Sequence, residues 1–358
     1  MAARASLRKA AFQLSLDALY FTGAFRALRG RCAGAGVILT LHHVRPARRD
    51  AFQPNRSLEV TPEFLDGVIE TLGRQGLEFI GLDELHRRLR HGSLRDRVAC
   101  LTFDDGYRDN LEWAYPVLRR HRVPFAIFVA SDLADRRGHM WWRTLETAVS
   151  AHDDVTITIG GTQRTFICRS LAEKIVTVQA IHRALGNLPS ETAVREAVDT
   201  FAARMGIDPA AQCAAVCMGW EELAMLAADP LVMIGAHTMS HPRLAKLGRA
   251  DARHEMQEGA ARIEAMIGIR PRHLAYPFGD EAAAGPREFA LAAELGFKTA
   301  VTTRPGVLTV SHRDRLTALP RISLNGEYQR LRHLRVLESG VATAAWNNWR
   351  RFRLAAAG

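Results

Sequence analysis

The chain has 358 residues, with 48 Lys+Arg against 38 Asp+Glu and a formal net charge of +10. At 47% hydrophobic and 24% charged the composition excludes wholesale disorder. No apolar run reaches the roughly 20 residues of a membrane span. Only Lys9, Lys174, Lys246 and Lys298 are lysines, so the basicity is an arginine bias. Residues 1–31 carry six basic residues against Asp17, and residues 328–358 carry six against Glu338. The interval 32–327 is balanced. A nucleic-acid groove needs cations clustered over the main domain, so no nucleic-acid partner is expected.

The N-terminal segment, 1–31, places Leu7, Ala11, Leu14, Ala18, Phe21 and Phe25 at helical spacing beside Arg8 and Lys9. It reads as a basic amphipathic helix. Such a helix either lies on an anionic membrane surface or packs on the body of its own protein. Gln13 and Asp17 interrupt the apolar stretch a signal peptide needs. The expected location is cytoplasmic, with peripheral contact at the inner face of the membrane as the role of the basic ends.

From residue 37 short apolar runs alternate with helical patterns. Strands are expected over Val37–His42, Leu77–Ile80, Val98–Phe103, Pro124–Val129, Leu231–Gly235, Arg272–Tyr276 and Lys298–Thr302. A helix should start at Thr61, an N-cap residue followed by Pro62 and Glu63. Alternation of this kind implies βα units and a mainly parallel sheet. Seven strands suggest a barrel within 32–327. The interval from about 135 to 219 breaks the rhythm and reads as an insertion beside the sheet. It holds a hairpin over Val155–Ile167 that turns at Gly160-Gly161. Residues 328–358 form a basic helical tail whose Trp346, Trp349, Arg350, Arg351 and Phe352 have interfacial character. The cysteines are Cys32, Cys100, Cys168, Cys213 and Cys217, without a CxxC pair. This disfavours structural zinc and suits a reducing compartment.

Three short segments carry chemistry. The strand Val98–Phe103 runs into Asp104-Asp105-Gly106. Adjacent carboxylates at the C-terminal end of a parallel strand stand where barrel active sites lie. The strand Leu231–Gly235 runs into Ala236-His237-Thr238-Met239-Ser240-His241. Histidines at i and i+4 on one face of a helical turn can chelate one divalent ion. Two histidines and one aspartate make a three-ligand N/O set open to water or substrate, and the second aspartate is left as a base. The third segment, His273 to Asp280, closes another strand and turns through Pro277 and Gly279.

In this order, Thr-Phe-Asp-Asp-Gly, His-Thr-Met-Ser-His and Tyr-Pro-Phe-Gly resemble the motifs of the polysaccharide deacetylases. That carbohydrate esterase family includes nodulation-type chitooligosaccharide deacetylases. The flanking Leu41-His42-His43-Val44 and Leu319-Pro320-Arg321-Ile322 segments are also similar to members of this superfamily. The resemblance spans about 37–325, apart from the insertion. It implies an α/β fold, a distorted (β/α)7 barrel, and metal-dependent hydrolysis of N-acetyl groups on N-acetylglucosamine-containing oligo- or polysaccharides. Carried over by motif, it makes Asp105, His237 and His241 ligands of one divalent metal ion, zinc or cobalt. Asp104 becomes the general base. The backbone near Tyr276 and Phe278 would meet the oxyanion.

Two departures qualify the resemblance. The family's third motif carries an arginine that orients the base, and Ala275 stands in its position. Arg321 from the last strand, or Arg272, would have to replace it. The family's Leu-x-His motif, which supplies the catalytic acid, is indistinct. His312, His42 and His43 are candidates, and strand alternation lets only one of His42 and His43 face the site. Tyr107, Trp141, Trp142 and Trp220 are candidate platforms for sugar rings. Two other readings stay open: a catalytically silent glycan-binding barrel, and a metal-dependent deacetylase of a non-sugar amide.

Overall fold

The computed structural model describes residues 2–347, with side chains from residue 9 onward. The expected interfacial residues Trp349, Arg350, Arg351 and Phe352, and the side chains of Leu7 and Arg8, lie outside the described residues.

Seven parallel strands close into a barrel: β1 (Gly36–Leu41), β2 (Val98–Phe103), β3 (Phe125–Val129), β4 (Val232–Ala236), β5 (His273–Ala275), β6 (Thr299–Pro305) and β7 (Leu319–Ser323). The ring closes where β1 pairs with β2, from Gly36↔Val98 to Leu41↔Phe103, and with β7 at Leu39↔Ile322. β1, β2 and β3 are buried along their whole length. This is the near-continuous apolar reading of strands covered on both faces. Ile38, Cys100, Phe128, Val301 and Leu319 belong to one apolar cluster with Leu82, Leu85 and Leu89 of the helix Leu82–Arg90. A second cluster joins the strands to the surrounding helices. Thr61 caps the helix Pro62–Arg74 by accepting from the Phe64 N–H, with Pro62 in the first turn.

Seven strands were expected and seven form the ring, but the membership differs. The expected strand Leu77–Ile80 is only the two-residue stub Glu78–Phe79, paired with Val98 and Ala99. Its edge of β2 is then taken over by β3 at Leu101 to Phe103. The seventh staff of the ring is β7, which carries Arg321.

The insertion contains the helices Trp141–Ala151, Leu171–Gly186, Glu191–Arg204 and Pro209–Val216. Its hairpin pairs Asp154–Ile159 with Thr162–Ile167. Gly160 and Gly161 both have positive φ, 58° and 77°, as a tight two-residue turn between twisted strands requires. The insertion has its own apolar cluster, which includes Tyr107 and Met140. All five cysteines are free.

The N-terminal segment forms two helices, Ala2–Phe21 and Ala24–Cys32. The first packs on the helix Leu331–Glu338 through Leu16, which is fully buried. Burying one leucine contributes roughly 1.5–3 kcal/mol. Asp17 accepts from Arg332 Nε at 2.6 Å and lies 2.7 Å from His333 Nε2. No helix among the described residues is long and apolar enough to cross a membrane.

Candidate active site

Three segments deliver the site to the C-terminal ends of the strands. Asp104 and Asp105 follow β2 directly, and His237 follows β4. His241 closes the loop after β4, and Arg321 reaches in from β7.

The histidines do not share a helical turn. Residues 237–241 form a loop in which Thr238 and His241 have φ of 65° and 63°. Asp105 has φ 72° and Phe278 61°. Left-handed backbone at a β-branched residue is strained. Here it persists because the surroundings dictate it. The helix Arg249–Ile267 passes so close that a Cβ on Gly259 would stand 2.4 Å from the Thr238 carbonyl carbon. From the same helix, the buried Glu255 accepts from the Met239 and Ser240 N–H groups at 3.1 and 2.8 Å and from Ser240 Oγ at 2.6 Å. Ser131 and Asp132 donate their N–H groups to the carbonyls of Thr238 and Met239.

The bent loop turns both imidazoles onto one carboxylate. Asp105 Oδ1 lies 3.4 Å from His237 Nε2 and 3.2 Å from His241 Nε2. The three ligand atoms all fall within 4.8 Å of one another. His237 Nδ1 lies 2.7 Å from the Ala275 carbonyl. A carbonyl can only accept, so Nδ1 carries a proton, and in the neutral ring the lone pair is on Nε2, facing Asp105. Asp105 Oδ1 is buried without a hydrogen-bond partner. An orphaned buried carboxylate oxygen beside two imidazole nitrogens is a donor set that a divalent cation fits.

Asp104 has a different environment. Arg321 Nη1 and Nη2 donate to its two oxygens at 2.7 and 2.6 Å, a planar two-pronged pair. Arg321 is fully buried and also donates to the Thr302 carbonyl and Thr102 Oγ1. Burial alone would raise the Asp104 pKa, but the Arg321 guanidinium outweighs it and holds the carboxyl below its usual range. The guanidinium absent at Ala275 thus has a counterpart in Arg321 of β7, which is bonded to both Asp104 oxygens. Arg272 is excluded from it. Its guanidinium pairs with Asp83, at the N-terminal start of β5.

The candidate acids separate in the same way. His312 sits in a short helical turn after β6, with Nδ1 accepting from the Thr309 N–H at 2.9 Å. Leu308, just before it, pairs with Gly36 at the first residue of β1. His312 therefore lies at the opposite end of the barrel, away from Asp104. His43 is buried, stacked on Tyr107 at 3.6 Å and 2.6 Å from Asp109 Oδ2. His42 is the one that faces the site. It is half-buried, and burial lowers its pKa against the opposing pull of Asp105 and Asp104.

The aromatic expectations are corrected at two positions. Tyr276 is fully buried, donates its hydroxyl to the Thr317 carbonyl and packs on Phe289. Its own N–H is spent on the Val301 carbonyl. Neither group is available to a substrate. Tyr107 is also fully buried, with its hydroxyl accepting from Trp142 Nε1 at 3.2 Å. Trp220 bonds Asp135 Oδ1 through its indole N–H. Trp141 and Trp142 are buried within the insertion core. Trp142 still reaches within 5.3 Å of the His241 ring. Trp141 lines a 260 Å³ cleft with His139, Glu191, Arg195, Ser240 and His241. Phe278 stands 5.0 Å from the His241 ring under the Arg243 guanidinium. Its backbone N–H has no acceptor among the described residues.

Glu255 is a site residue that sequence reasoning missed. Its signal is a charge on the buried stripe Ala252, Met256, Gly259 and Ala260 of its helix. Replacing Glu255 by Ala is expected to weaken zinc binding about tenfold, the usual scale for groups that orient metal ligands. Isothermal titration with zinc checks this, and unchanged affinity would remove Glu255 from the site.

The comparisons bear on the whole arrangement. A family model described as polysaccharide deacetylase matches residues 91–300. No curated protein matches. Among solved structures, the Streptococcus pyogenes deacetylase PplD in complex with acetate aligns at TM-score 0.54 and 18% identity, covering 81% of this chain and 92% of that one. IcaB from Ammonifex degensii aligns at 0.52 and 17%, covering 85% and 97%. The putative polysaccharide deacetylase BA0330 from Bacillus anthracis aligns at 0.53 and 14%, covering 84% and 68%. Identities this low speak for the shared barrel only. The family match spans more than half of the chain, and with the motifs standing at the strand ends of that barrel, this chain belongs to the polysaccharide deacetylase family.

Proposed function

We propose that this protein is a metal-dependent N-deacetylase of N-acetylglucosamine-containing glycans. The observation that supports this best is the convergence of Asp105, His237 and His241 beside an aspartate held by a buried arginine. The three ligands would hold one divalent ion, zinc or cobalt, which when bound acidifies water and polarises an acetamide oxygen.

The chain's own groups supply the rest. Arg321 keeps Asp104 ionised and fixed. Oδ2 accepts from both Arg321 Nη2 and Thr40 Oγ1, whereas Oδ1 accepts from Arg321 Nη1 and retains a lone pair. Asp104 can therefore take the proton of an attacking water. The Phe278 N–H is a free donor for the developing oxyanion. His42 is the imidazole available to protonate the departing amine, in place of His312. The cleft lined by Trp141 and Arg195 borders His241 and suits an extended glycan. The silent-barrel reading has two motives, the missing motif arginine and the indistinct acid. The Arg321–Asp104 pair speaks against the first, and the His42→Gln variant tests the second.

Acetate release should be measured on N-acetylglucosamine oligosaccharides and on small acetamides in parallel. Oligosaccharides are expected to be preferred, and His42→Gln should lower kcat while leaving bound metal unchanged. Equal rates on simple acetamides would favour a non-sugar amide as substrate. A normal kcat in His42→Gln would move the acid role elsewhere.

A further inference from the structure

The helix Ala2–Phe21 is apolar on two opposite sides. The inner side is used: Leu16 is buried, Tyr20 stacks on Phe25 at 5.3 Å, and Asp17 holds Arg332. The outer stripe is Ala11, Leu14, Ala18 and Phe21, at the three- and four-residue spacing that keeps side chains on one helix face. Leu14 is 67% exposed and Phe21 74% exposed. Leu28 on the next helix is 42% exposed. A surface helix normally turns polar residues outward. This one turns outward the middle of the stripe legible in the sequence, Ala11 to Phe21, while Phe25 at its end is buried.

The charge around the stripe says what would cover it. Arg26 and Arg31 are exposed on the second helix, and neither has an ion-pair partner among the described residues. Arg4 and Arg8 precede the stripe in sequence, and the balanced body of the chain contributes nothing to the excess. A second copy of the chain would meet this face with the same face. The arginines of the two copies would then oppose one another. An anionic lipid surface instead takes both the apolar side chains and the cations.

We propose that the outer face of these two helices docks the protein peripherally on an anionic lipid bilayer, through Leu14, Phe21 and Leu28 with Arg26 and Arg31. Docking this way leaves the inner face of the helix in place. Truncating the segment would strip Leu16 from the core, so point substitutions are the sound test.

The full-length protein should be sedimented with vesicles of phosphatidylcholine alone and of phosphatidylcholine with phosphatidylglycerol. It is expected to bind the anionic vesicles and to be released by salt. Leu14→Asp with Phe21→Asp should lower vesicle partitioning by about tenfold or more, with acetate release from a soluble oligosaccharide retained. Leu14→Ser with Leu28→Ser is a milder pair expected to act in the same direction. No wild-type binding to anionic vesicles, or equal binding by both variant pairs, would overturn the proposal. So would a wild-type dimer that the same substitutions make monomeric without any vesicle binding.

Discussion

Asp104→Asn is expected to lower kcat for acetate release by about 10²–10⁴-fold, with zinc content near that of the wild type. The substitution keeps the side-chain shape and removes the charge that accepts a proton. The proposed ligands Asp105, His237 and His241 are untouched. Asparagine also turns an N–H group toward one of the Arg321 donors, so some loss of stability should accompany the loss of rate. The two are separated by measuring kcat well below the unfolding midpoint. A kcat near wild type would show that the proton goes elsewhere, and the base assignment would fall.

Arg321→Leu carries the largest expected effect on stability. Asp104 and Arg321 are both buried, and four hydrogen bonds end on this one guanidinium. Removing one partner of a buried ion pair typically costs about 3–5 kcal/mol, because the other charge is left without compensation. Without Arg321, burial would dominate and push the Asp104 carboxyl up toward its neutral form. Guanidinium unfolding of the metal-free protein measures the cost. The double replacement with Asp104→Leu should cost less than the sum of the two single changes, since it removes the orphaned charge as well. Strict additivity, or an Arg321→Leu midpoint equal to wild type, would mean the pair is not coupled.

Much of the site was legible because its chemistry is written in contiguous residues. Asp104-Asp105-Gly106 and His237 to His241 each follow an apolar strand, so their placement needs only local reading. Arg321 was also within reach, since a buried base with Ala275 in place of an arginine needs a cation from somewhere. What stayed hidden depends on packing. The left-handed backbone at Thr238 and His241 is imposed by Gly259 and Glu255, some twenty residues away, and spacing alone suggested a helical turn. The orientation of Tyr107 and Tyr276 depends on which layer each ring fills. Their residue type says only that they are large and partly polar. The first helix has apolar residues on both sides, so sequence offered both a membrane-facing and a core-facing reading. The structure puts Leu16 inward and leaves Leu14 and Phe21 outward. The seventh strand was obscured because Leu77–Ile80 has a strand-like pattern but only a short edge of β2 to pair with.

The most direct test of the central claim is acetate release from an N-acetylglucosamine oligosaccharide by protein stripped with a chelator, before and after zinc is restored. The account predicts no measurable release from the stripped protein and full recovery with zinc, in wild type but not in His237→Ala. Release that persists without metal, or none from the zinc-loaded wild type on any such glycan, would contradict it.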